Sequence, residues 1–474
     1  MYQVDGNAQC ATFHPLATIH PITILPTELL ALIMAEVIIP GSPNSLGHLP
    51  MHRYTYHHTA LPLSQVSKHW RNTAQSTPML WTRLDINLGG MKCADPWLAF
   101  LRMHLKHSGI LPLRLLLTWV SAECHSIVDA LAAAGVWRDL ALRAGAIRFD
   151  VWYAVQLPAS LRQALLSEPL PVLEELRFAW QPLQRMSSLM ALPLAPRLRT
   201  LDWLEFGRPL EWPGEGDGAT YPELREAHLR TDIGDATQIS EVFDRMPGLE
   251  TLSMHTFDLR SQATPAPLLE HATPQELQWI ATLGIDLSVA QAIRLPALRT
   301  AALDLPSTNH GMGFALIRAL FATGFPNLHV LEVSFPLSVP FAEILRSLAD
   351  LQALTLYGDP GYVSTFRYRA RAHGAEDGAE AFFARMARKP WVCPRLERLD
   401  IKNYSIGHAT PDEEALLALA YARSADKAAA GELEGRTLRR MVMIEPPTST
   451  ISRSADAIYD LNMKLACILV DNSP

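Results

Sequence analysis

The chain has 474 residues, 49% of them hydrophobic, and its formal net charge at pH 7 is −7. This length and composition allow a large buried core, arranged as two or three domains or as one elongated array of repeats. The negative net charge argues against a nucleic-acid phosphate backbone as the main partner.

Residue composition and the absence of certain motifs also indicate the cellular compartment and the kinds of chemistry to expect. The five cysteines are odd in number and widely separated, which fits neither a disulfide framework nor a zinc module. The sequence has no secretory signal and no apolar stretch of about 18 residues that could span a bilayer. It also lacks P-loop, zincin and esterase-elbow motifs. We therefore expect an intracellular protein, cytoplasmic or nuclear, that is not an enzyme and has no cofactor, metal or membrane partner.

Residues 23–84 begin with a helical pattern. Leu25, Leu29 and Ile33 recur four residues apart, which gives one broad apolar face on a helix. Pro26 suits the first turn of that helix, where its missing N–H costs nothing.

Two further short helices are predicted after a loop at residues 40–60 that is rich in proline and glycine. Val66, Trp70 and Ala74 recur at helical spacing, and Thr77-Pro78 combines a helix cap with a first-turn proline. About sixty residues cannot bury all of this apolar surface among themselves. Part of it must therefore pack on the rest of the chain or contact another protein.

Strand and helix patterns alternate in the next segment. Leu84–Leu88, Leu113–Leu117 and Leu140–Leu142 predict strands, and Trp97–His107 and Ser126–Ala134 predict helices. Strands that alternate with helices indicate a parallel sheet.

From Pro171 onward the chain repeats the pattern Pro-x-Leu-x-x-Leu-x-apolar, with early spacings of 25, 26 and 25 residues. The step from Pro247 to Pro296 is 49 residues, nearly two periods, so we expect a degenerate copy near Pro274–Leu283. A copy without the proline begins at Leu351. The leading prolines of the complete copies are Pro171, Pro196, Pro222, Pro247, Pro296, Pro326 and Pro394.

A period of 20 to 29 residues with Leu-x-x-Leu-x-Leu is the signature of leucine-rich repeats. Each unit supplies one short strand and a return segment, and neither can bury its apolar side alone, so the units stack into a solenoid with parallel strands. We expect each proline at the first residue of a strand, where an absent N–H is tolerated.

The N-terminal helices resemble a known domain. Leu-Pro-x-Glu-Leu-Leu-x-x-Ile from Leu25, Val-Ser-Lys-x-Trp-Arg from Val66 and Thr-Pro-x-Leu-Trp from Thr77 are similar to an F-box, as found at the start of many fungal F-box and leucine-rich-repeat proteins. The resemblance implies a surface for a Skp-type adaptor and, through it, a cullin scaffold. The candidate adaptor-binding residues are Leu25, Pro26, Leu29, Leu30, Ile33, Val66 and Trp70. The alternative is that these side chains only cover the first repeat, and Trp70 suits the core of the helical unit.

Strand positions that flank the repeat leucines point to the opposite side of the sheet and would line the concave face of a horseshoe. These positions are candidates for binding a target protein of mixed charge pattern. The alternative is a solvated polar face with no dedicated ligand. The candidate target-binding residues are Glu175, Arg177, Asp202, Glu226, His228, Arg230, His255, Asp304, Glu332, Tyr357, Arg398, Asp400 and Lys402.

The expected fold is α/β, with a small three-helix F-box-like domain followed by a leucine-rich-repeat horseshoe solenoid with parallel strands. The resemblance implies the substrate-recognition subunit of a Skp–cullin–F-box ubiquitin ligase, and the alternative is a leucine-rich-repeat interaction scaffold outside any ligase. The expected segments are a flexible lead at 1–22, the F-box-like domain at 23–84, the solenoid at 85–445 with an insertion at about 358–392, and a C-terminal capping helix within 446–474.

Overall fold

The structure is a computed structural model, and it describes the greater part of the chain. Its helices include none that is long and apolar enough to cross a membrane, a statement that covers the described residues only. The described residues are 25–38, 60–87, 93–119, 125–152, 158–167, 169–181, 192–205, 212, 220–230, 236–256, 269–281, 291–304, 310–334, 337, 339–357, 378–402, 413–424, 438–444 and 452–470.

Within these residues the fold is mixed α/β and is built on one open parallel sheet of 13 strands, in the order β1-β2-β3-β4-β5-β6-β7-β9-β11-β12-β13-β14-β15. Two further strands, β8 Leu269–Glu270 and β10 Ile293–Arg294, form a small parallel pair. The strands of the large sheet are β1 Arg83–Asn87, β2 Leu113–Trp119, β3 Ala144–Trp152, β4 Glu175–Gln181, β5 Thr200–Glu205, β6 Glu226–Arg230, β7 Thr251–Thr256, β9 Glu276–Ala281, β11 Thr300–Asp304, β12 Val330–Ser334, β13 Ala353–Tyr357, β14 Arg398–Lys402 and β15 Arg440–Ile444.

Helices connect many of these strands, which is the usual way to join parallel neighbours. A 3₁₀ turn at Pro78–Trp81 leads into β1, and π-type turns at Gln163–Ser167 and Leu320–Gly324 extend two helices. The described helices are α1 Thr27–Ile38, α2 Ala60–Ser64, α3 Lys68–Ser76, α4 Ala94–His107, α5 His125–Ala133, α6 Val136–Arg143, α7 Ala159–Arg162, α8 Ala236–Arg245, α9 His310–Ala319, α10 Val339–Leu345, α11 Gly378–Met386, α12 Glu413–Ser424 and α13 Ser452–Val470.

The core is organised by two buried residues per strand, except in β9, where Leu277 is buried and the side chain of Trp279 is not described. Each lies directly beside its counterpart in the neighbouring strand, so the side chains form continuous rows under the helices. The first row consists of Leu84, Leu115, Ile147, Leu176, Leu201, Ala227, Leu252, Leu277, Ala301, Leu331, Leu354, Leu399 and Met441, each 3% exposed or less.

The expected degenerate copy near Pro274 is confirmed as a strand, because β9 pairs with β7 on one side and β11 on the other. The strand expected at Leu140–Leu142 is wrong, because these residues belong to α6. In that helix Val136, Trp137, Leu140 and Ala141 are buried at helical spacing. The three apolar residues fit a short strand only when the helical spacing of Trp137 to Leu140 and Ala141 is left out of account.

The expected role of the repeat prolines is also wrong in detail. Pro196 precedes the first residue of β5, Thr200, by four positions. It is the second residue of a tight turn in which the Leu198 N–H donates to the Ala195 carbonyl at 3.1 Å. Proline suits that position because its ring fixes φ near −65°. Turns closed in the same way lead into other strands, with donors at Leu173, Leu224, Leu249, Leu298, Leu351 and Leu396.

One of these turns requires glycine. Gly248 lies between Pro247 and Leu249, and a Cβ atom built on it would be 2.6 Å from the carbonyl oxygen of Pro222 in the preceding turn. Neighbouring turns are therefore stacked closely enough to exclude a side chain at this position.

The free edge of β15 is covered by a side chain. Helix α13 contacts both β15 and α12. Asn462 of α13 donates from Nδ2 to the Met443 carbonyl at 2.9 Å and accepts from the Met443 N–H at Oδ1 at 2.8 Å. One amide side chain thus satisfies both backbone groups of Met443. Unpaired backbone groups on an edge strand would otherwise be free to pair with another chain.

We expect Leu201→Ala to lower the free energy of unfolding by about 2–5 kcal/mol, because it leaves a cavity in the middle of the buried row. Thr200→Ala, on the opposite side of the same strand, is the matched control and should cost less than about 1 kcal/mol. Urea denaturation measures both. Equal costs for the two variants would contradict the assignment of Leu201 to the core.

We expect Asn462→Leu to cost about 1–3 kcal/mol, because both backbone groups of Met443 lose their partner. Hydrogen exchange of residues 440–444 should quicken, whereas Met463→Ala, at an exposed position of the same helix, should leave it unchanged. Unaltered exchange in the Asn462 variant would show that this side chain does not protect the edge.

Candidate functional site

The N-terminal helices form a small core of their own. Leu30 and Met34 of α1 are fully buried. They pack in a cluster whose other members are Ala60, Ala74, Leu80 and Trp81. The Trp81 indole N–H donates to the Ala74 carbonyl at 2.7 Å, so the largest side chain of this core has its polar atom satisfied.

The opposite side of α1 is apolar and open. Leu29, Leu32, Ile33 and Val37 are 42–60% exposed. They recur at spacings of three and four residues and therefore share one face of the helix. Isolated exposed aliphatic residues are ordinary, but a stripe of four on three turns is the kind of surface that a partner covers.

The structure divides the candidate adaptor-binding residues between core and surface. Leu29 and Ile33 lie on the open face of α1, and Pro26 and Val66 are exposed as well. Leu25 is half-buried.

Two of the candidates belong to the core of the helical unit. Leu30 was predicted on the binding face but is fully buried, because the helix turns it toward Ala74 and Trp81. Trp70 is partly buried and packs against the same cluster, which agrees with its interpretation as a core residue.

The helical unit is attached to the rest of the chain through Trp81. Its ring lies 5.0 Å from the His104 ring of α4, in an edge-on arrangement, and 4.8 Å from the His107 ring. Met103 of α4 packs against the same cluster. His104 Nδ1 is 3.3 Å from the Trp81 carbonyl oxygen, and because that oxygen can only accept, Nδ1 carries the proton.

Burial lowers the pKa of His104 to about 4, and the hydrogen bond to Trp81 offsets this only in part. The folded pKa lies below the ordinary value of 6.5, so between pH 6.5 and 4 only the unfolded chain takes up the proton. We expect the contribution of His104 to the free energy of unfolding to fall by about 3 kcal/mol across that window and to be constant above it.

The matched variant is His104→Asn, which keeps a donor for the Trp81 carbonyl but does not titrate. Urea denaturation between pH 7.5 and 4 should show a smaller pH dependence for this variant than for the wild type. Parallel pH profiles would contradict the buried neutral state of His104.

The other candidate surface is the sheet face turned away from the buried rows, called the polar face below. Its central position in each strand lies between the two buried residues and points the other way. These central residues are Asp85, Leu116, Arg148, Arg177, Asp202, His228, Ser253, Gln278, Ala302, Glu332, Thr355, Asp400 and Val442.

Over β4 and β6 the polar groups of this face pair within single strands. Arg177 Nε lies 2.6 Å from Glu175 Oε1, and His228 Nε2 lies 2.8 Å from Glu226 Oε1. Residues two apart on a strand lie on the same face, so these contacts form with little loss of side-chain conformational freedom. Both pairs are substantially exposed to solvent, and such pairs contribute little to stability.

Over β12 to β14 the polar groups connect different strands. The Tyr357 hydroxyl donates to Glu332 Oε2 at 2.8 Å and accepts from Lys402 Nζ at 3.3 Å. Lys402 also lies 5.2 Å from the centre of the Tyr357 ring. Burial, followed by the hydrogen bond to Glu332, raises the pKa of Tyr357 above its ordinary value.

Beside this group, Asp400 lies between two guanidinium groups. Its carboxylate oxygens are 3.4 Å from Arg398 Nε and 3.7 Å from Arg440 Nε. Asp400 is 6% exposed although it lies on the polar face. Thr355 stands in register between Glu332 and Asp400 and is 1% exposed.

Three candidate target-binding residues have side chains outside the described part of the structure. The backbones of Arg230, His255 and Asp304 belong to β6, β7 and β11, and their side chains are not described. Asp202 is half-buried at the central position of β5.

Sequence reasoning missed Thr355 and Arg440 in this group. Thr355 follows Leu354 and precedes Leu356, so the same alternation would have placed it on the polar face. Arg440 belongs to the last strand, whose repeat pattern of Leu438, Met441 and Met443 is weak.

No protein-family model matches this chain, and a search of curated proteins likewise gave no match.

Proposed function

We propose that this protein is a non-catalytic substrate-recognition subunit of a Skp–cullin–F-box type ubiquitin ligase. The proposal rests on the F-box resemblance of residues 25–81, and the observation that supports it is the open apolar face of α1. Leu29 and Ile33 lie on that face while Leu30 and Met34 of the same helix form the core. A helix with one buried side and one exposed aliphatic side can bind an adaptor without unfolding its own unit.

In this proposal the parallel sheet is a leucine-rich-repeat solenoid, and its polar face holds the target protein. The mechanism is proximity. One surface is tethered to the ligase while the other raises the effective concentration of the target near the charged ubiquitin carrier. The chain itself forms and breaks no covalent bond, and the complex would act in the cytoplasm or the nucleus.

The alternative is an interaction scaffold in which the N-terminal helices only cap the sheet. The contact of Trp81 with His104 and the packing of Met103 of α4 on the N-terminal cluster favour this interpretation to the extent that they attach the helical unit to its neighbours. A helical unit that only covered the end of the sheet, however, would not require exposed aliphatic side chains on its outer face. The two functions are separated by whether that face binds an adaptor.

We expect Leu29→Glu combined with Ile33→Glu to lower co-purification of a Skp-type adaptor and a cullin by more than tenfold. Two unpaired carboxylates buried at an interface cost well above the ~1.4 kcal/mol that corresponds to tenfold. Affinity purification of the tagged full chain from fungal cells, with quantitative mass spectrometry, measures the effect.

The matched control is Ile110→Glu, which makes the same change at a position 97% exposed in the loop before β2. It should leave adaptor recovery unchanged. Thermal unfolding of all variants should agree to within about 2 °C, since each change is at an exposed site. Wild-type protein that recovers neither adaptor nor cullin would overturn the proposed function and favour the scaffold.

A further inference from the structure

The polar face is not uniform, and over β12 to β15 its polar side chains contact one another between strands. There Arg398, Lys402 and Arg440 bring three positive charges against the two negative charges of Glu332 and Asp400. The contacts to Tyr357 and Asp400 connect side chains from four adjacent strands. This part of the face is therefore a fixed cluster with one positive charge in excess.

Buried polar atoms in this cluster have unused hydrogen-bonding capacity. Thr355 Oγ1 and Ser334 Oγ have no hydrogen-bond partner among the described residues, and both side chains are more than nine-tenths buried. Buried groups of this kind are nearly always satisfied in a complete assembly, by a partner or by water.

These groups occupy two adjacent rows of the register. Ser334, Tyr357 and Lys402 form one row across β12, β13 and β14. Thr355 lies in the next row, between Glu332 and Asp400. The unsatisfied hydroxyls thus lie inside the charged cluster and not at its margin.

We infer that β12 to β15 form the docking site for an acidic segment of a protein target, which presents an aspartate or glutamate carboxylate to Lys402, Arg398 and Arg440. This inference rests on the proposed function, in which the polar face holds the target. A carboxylate accepts hydrogen bonds from guanidinium, ammonium and hydroxyl groups alike.

The single excess charge favours a carboxylate over a phosphorylated side chain. A phosphate group brings a charge of about −1.5 to −2 at neutral pH, and Glu332 and Asp400 would repel it.

The test uses the purified full chain and fluorescein-labelled Gly/Ser peptides that carry a run of glutamates. Matched peptides carry glutamine, lysine or phosphoserine in the same positions. Fluorescence anisotropy should show binding of the glutamate peptide in preference to the other three, weakened by added salt. Lys402→Gln combined with Arg440→Gln should weaken it at least tenfold while Arg398 still neutralises Asp400.

The matched control is Arg114→Gln, which removes an exposed arginine of β2 on the same face of the sheet. It should leave glutamate-peptide binding unchanged. Failure of the glutamate peptide to bind at up to about 1 mM overturns the inference. So does tighter binding of the phosphoserine peptide, or an equal loss with Arg114→Gln, since either outcome assigns a different ligand or a different site.

Adaptor recovery separates this inference from the proposed function. The Lys402/Arg440 variant should recover adaptor and cullin like the wild type, because these residues are remote in sequence and chemistry from the apolar face of α1. Adaptor recovery without acidic-peptide binding overturns only the docking site. Acidic-peptide binding without any adaptor recovery overturns only the ligase function.

Discussion

The constraint on which the rest of the structure depends is the burial of two residues per strand, each in register with its counterpart in the next strand. Alternation along a strand places both residues on one side of the sheet and the residue between them on the other. Close packing then requires large and small side chains to complement one another. Ala227 lies in register beside Leu201, while Trp203 stacks on Phe178 with ring centroids 4.7 Å apart. The polar face is thus a geometric consequence of the core.

The regular spacing of the Pro-x-Leu-x-x-Leu copies along the sequence made much of the sheet predictable. It predicted a strand near residue 276 even though the leucine pattern there is degraded, because the spacing of the neighbouring copies left room for one more unit. Local patterns alone were less informative. Leu140–Leu142 is apolar in a way that suits strand or helix, and only the burial of Trp137 and Val136 shows the helical spacing. The prolines were found correctly but explained wrongly, since the turn that precedes each strand has no distinctive signal beyond proline itself.

The two candidate surfaces differ in how far sequence could specify them. Alternation correctly assigned Glu332, Tyr357 and Asp400 to one side of the sheet. It could not pair Tyr357 with Glu332 or Asp400 with Arg440, because contacts between repeats depend on register and rotamer. On α1, the apolar stripe is so broad that spacing does not distinguish its inner side from its outer side. The position of α3 and Trp81 decides that Leu30 faces inward and Leu29 outward.

Some of the packing had no sequence signal at all. Arg423 lies in α12, and its guanidinium group is buried against the carbonyl oxygens of Met386, Val392 and Cys393, 4.4 Å from the Trp391 ring. Burial lowers its pKa to about 10. Burial also raises the pKa of the Cys393 thiol to about 12, so that thiol is unreactive at neutral pH. Carbonyl oxygens rather than a carboxylate hold this cation, and such partners cannot be recognised from residue types.

A second helix, α13, also exposes large side chains, and it differs from α1 in how those side chains suit solvent. On α13, Tyr459 and Met463 are exposed four residues apart. Tyrosine ends in a hydroxyl that suits solvent, and the neighbouring Lys464 pairs with Glu413 of α12 at 2.7 Å. The stripe on α1 is wholly aliphatic, wider, and backed by a core that already holds the helix in place. Its exposure therefore contributes nothing to folding, and a partner that covers it gains apolar burial without any reorganisation of the helical unit.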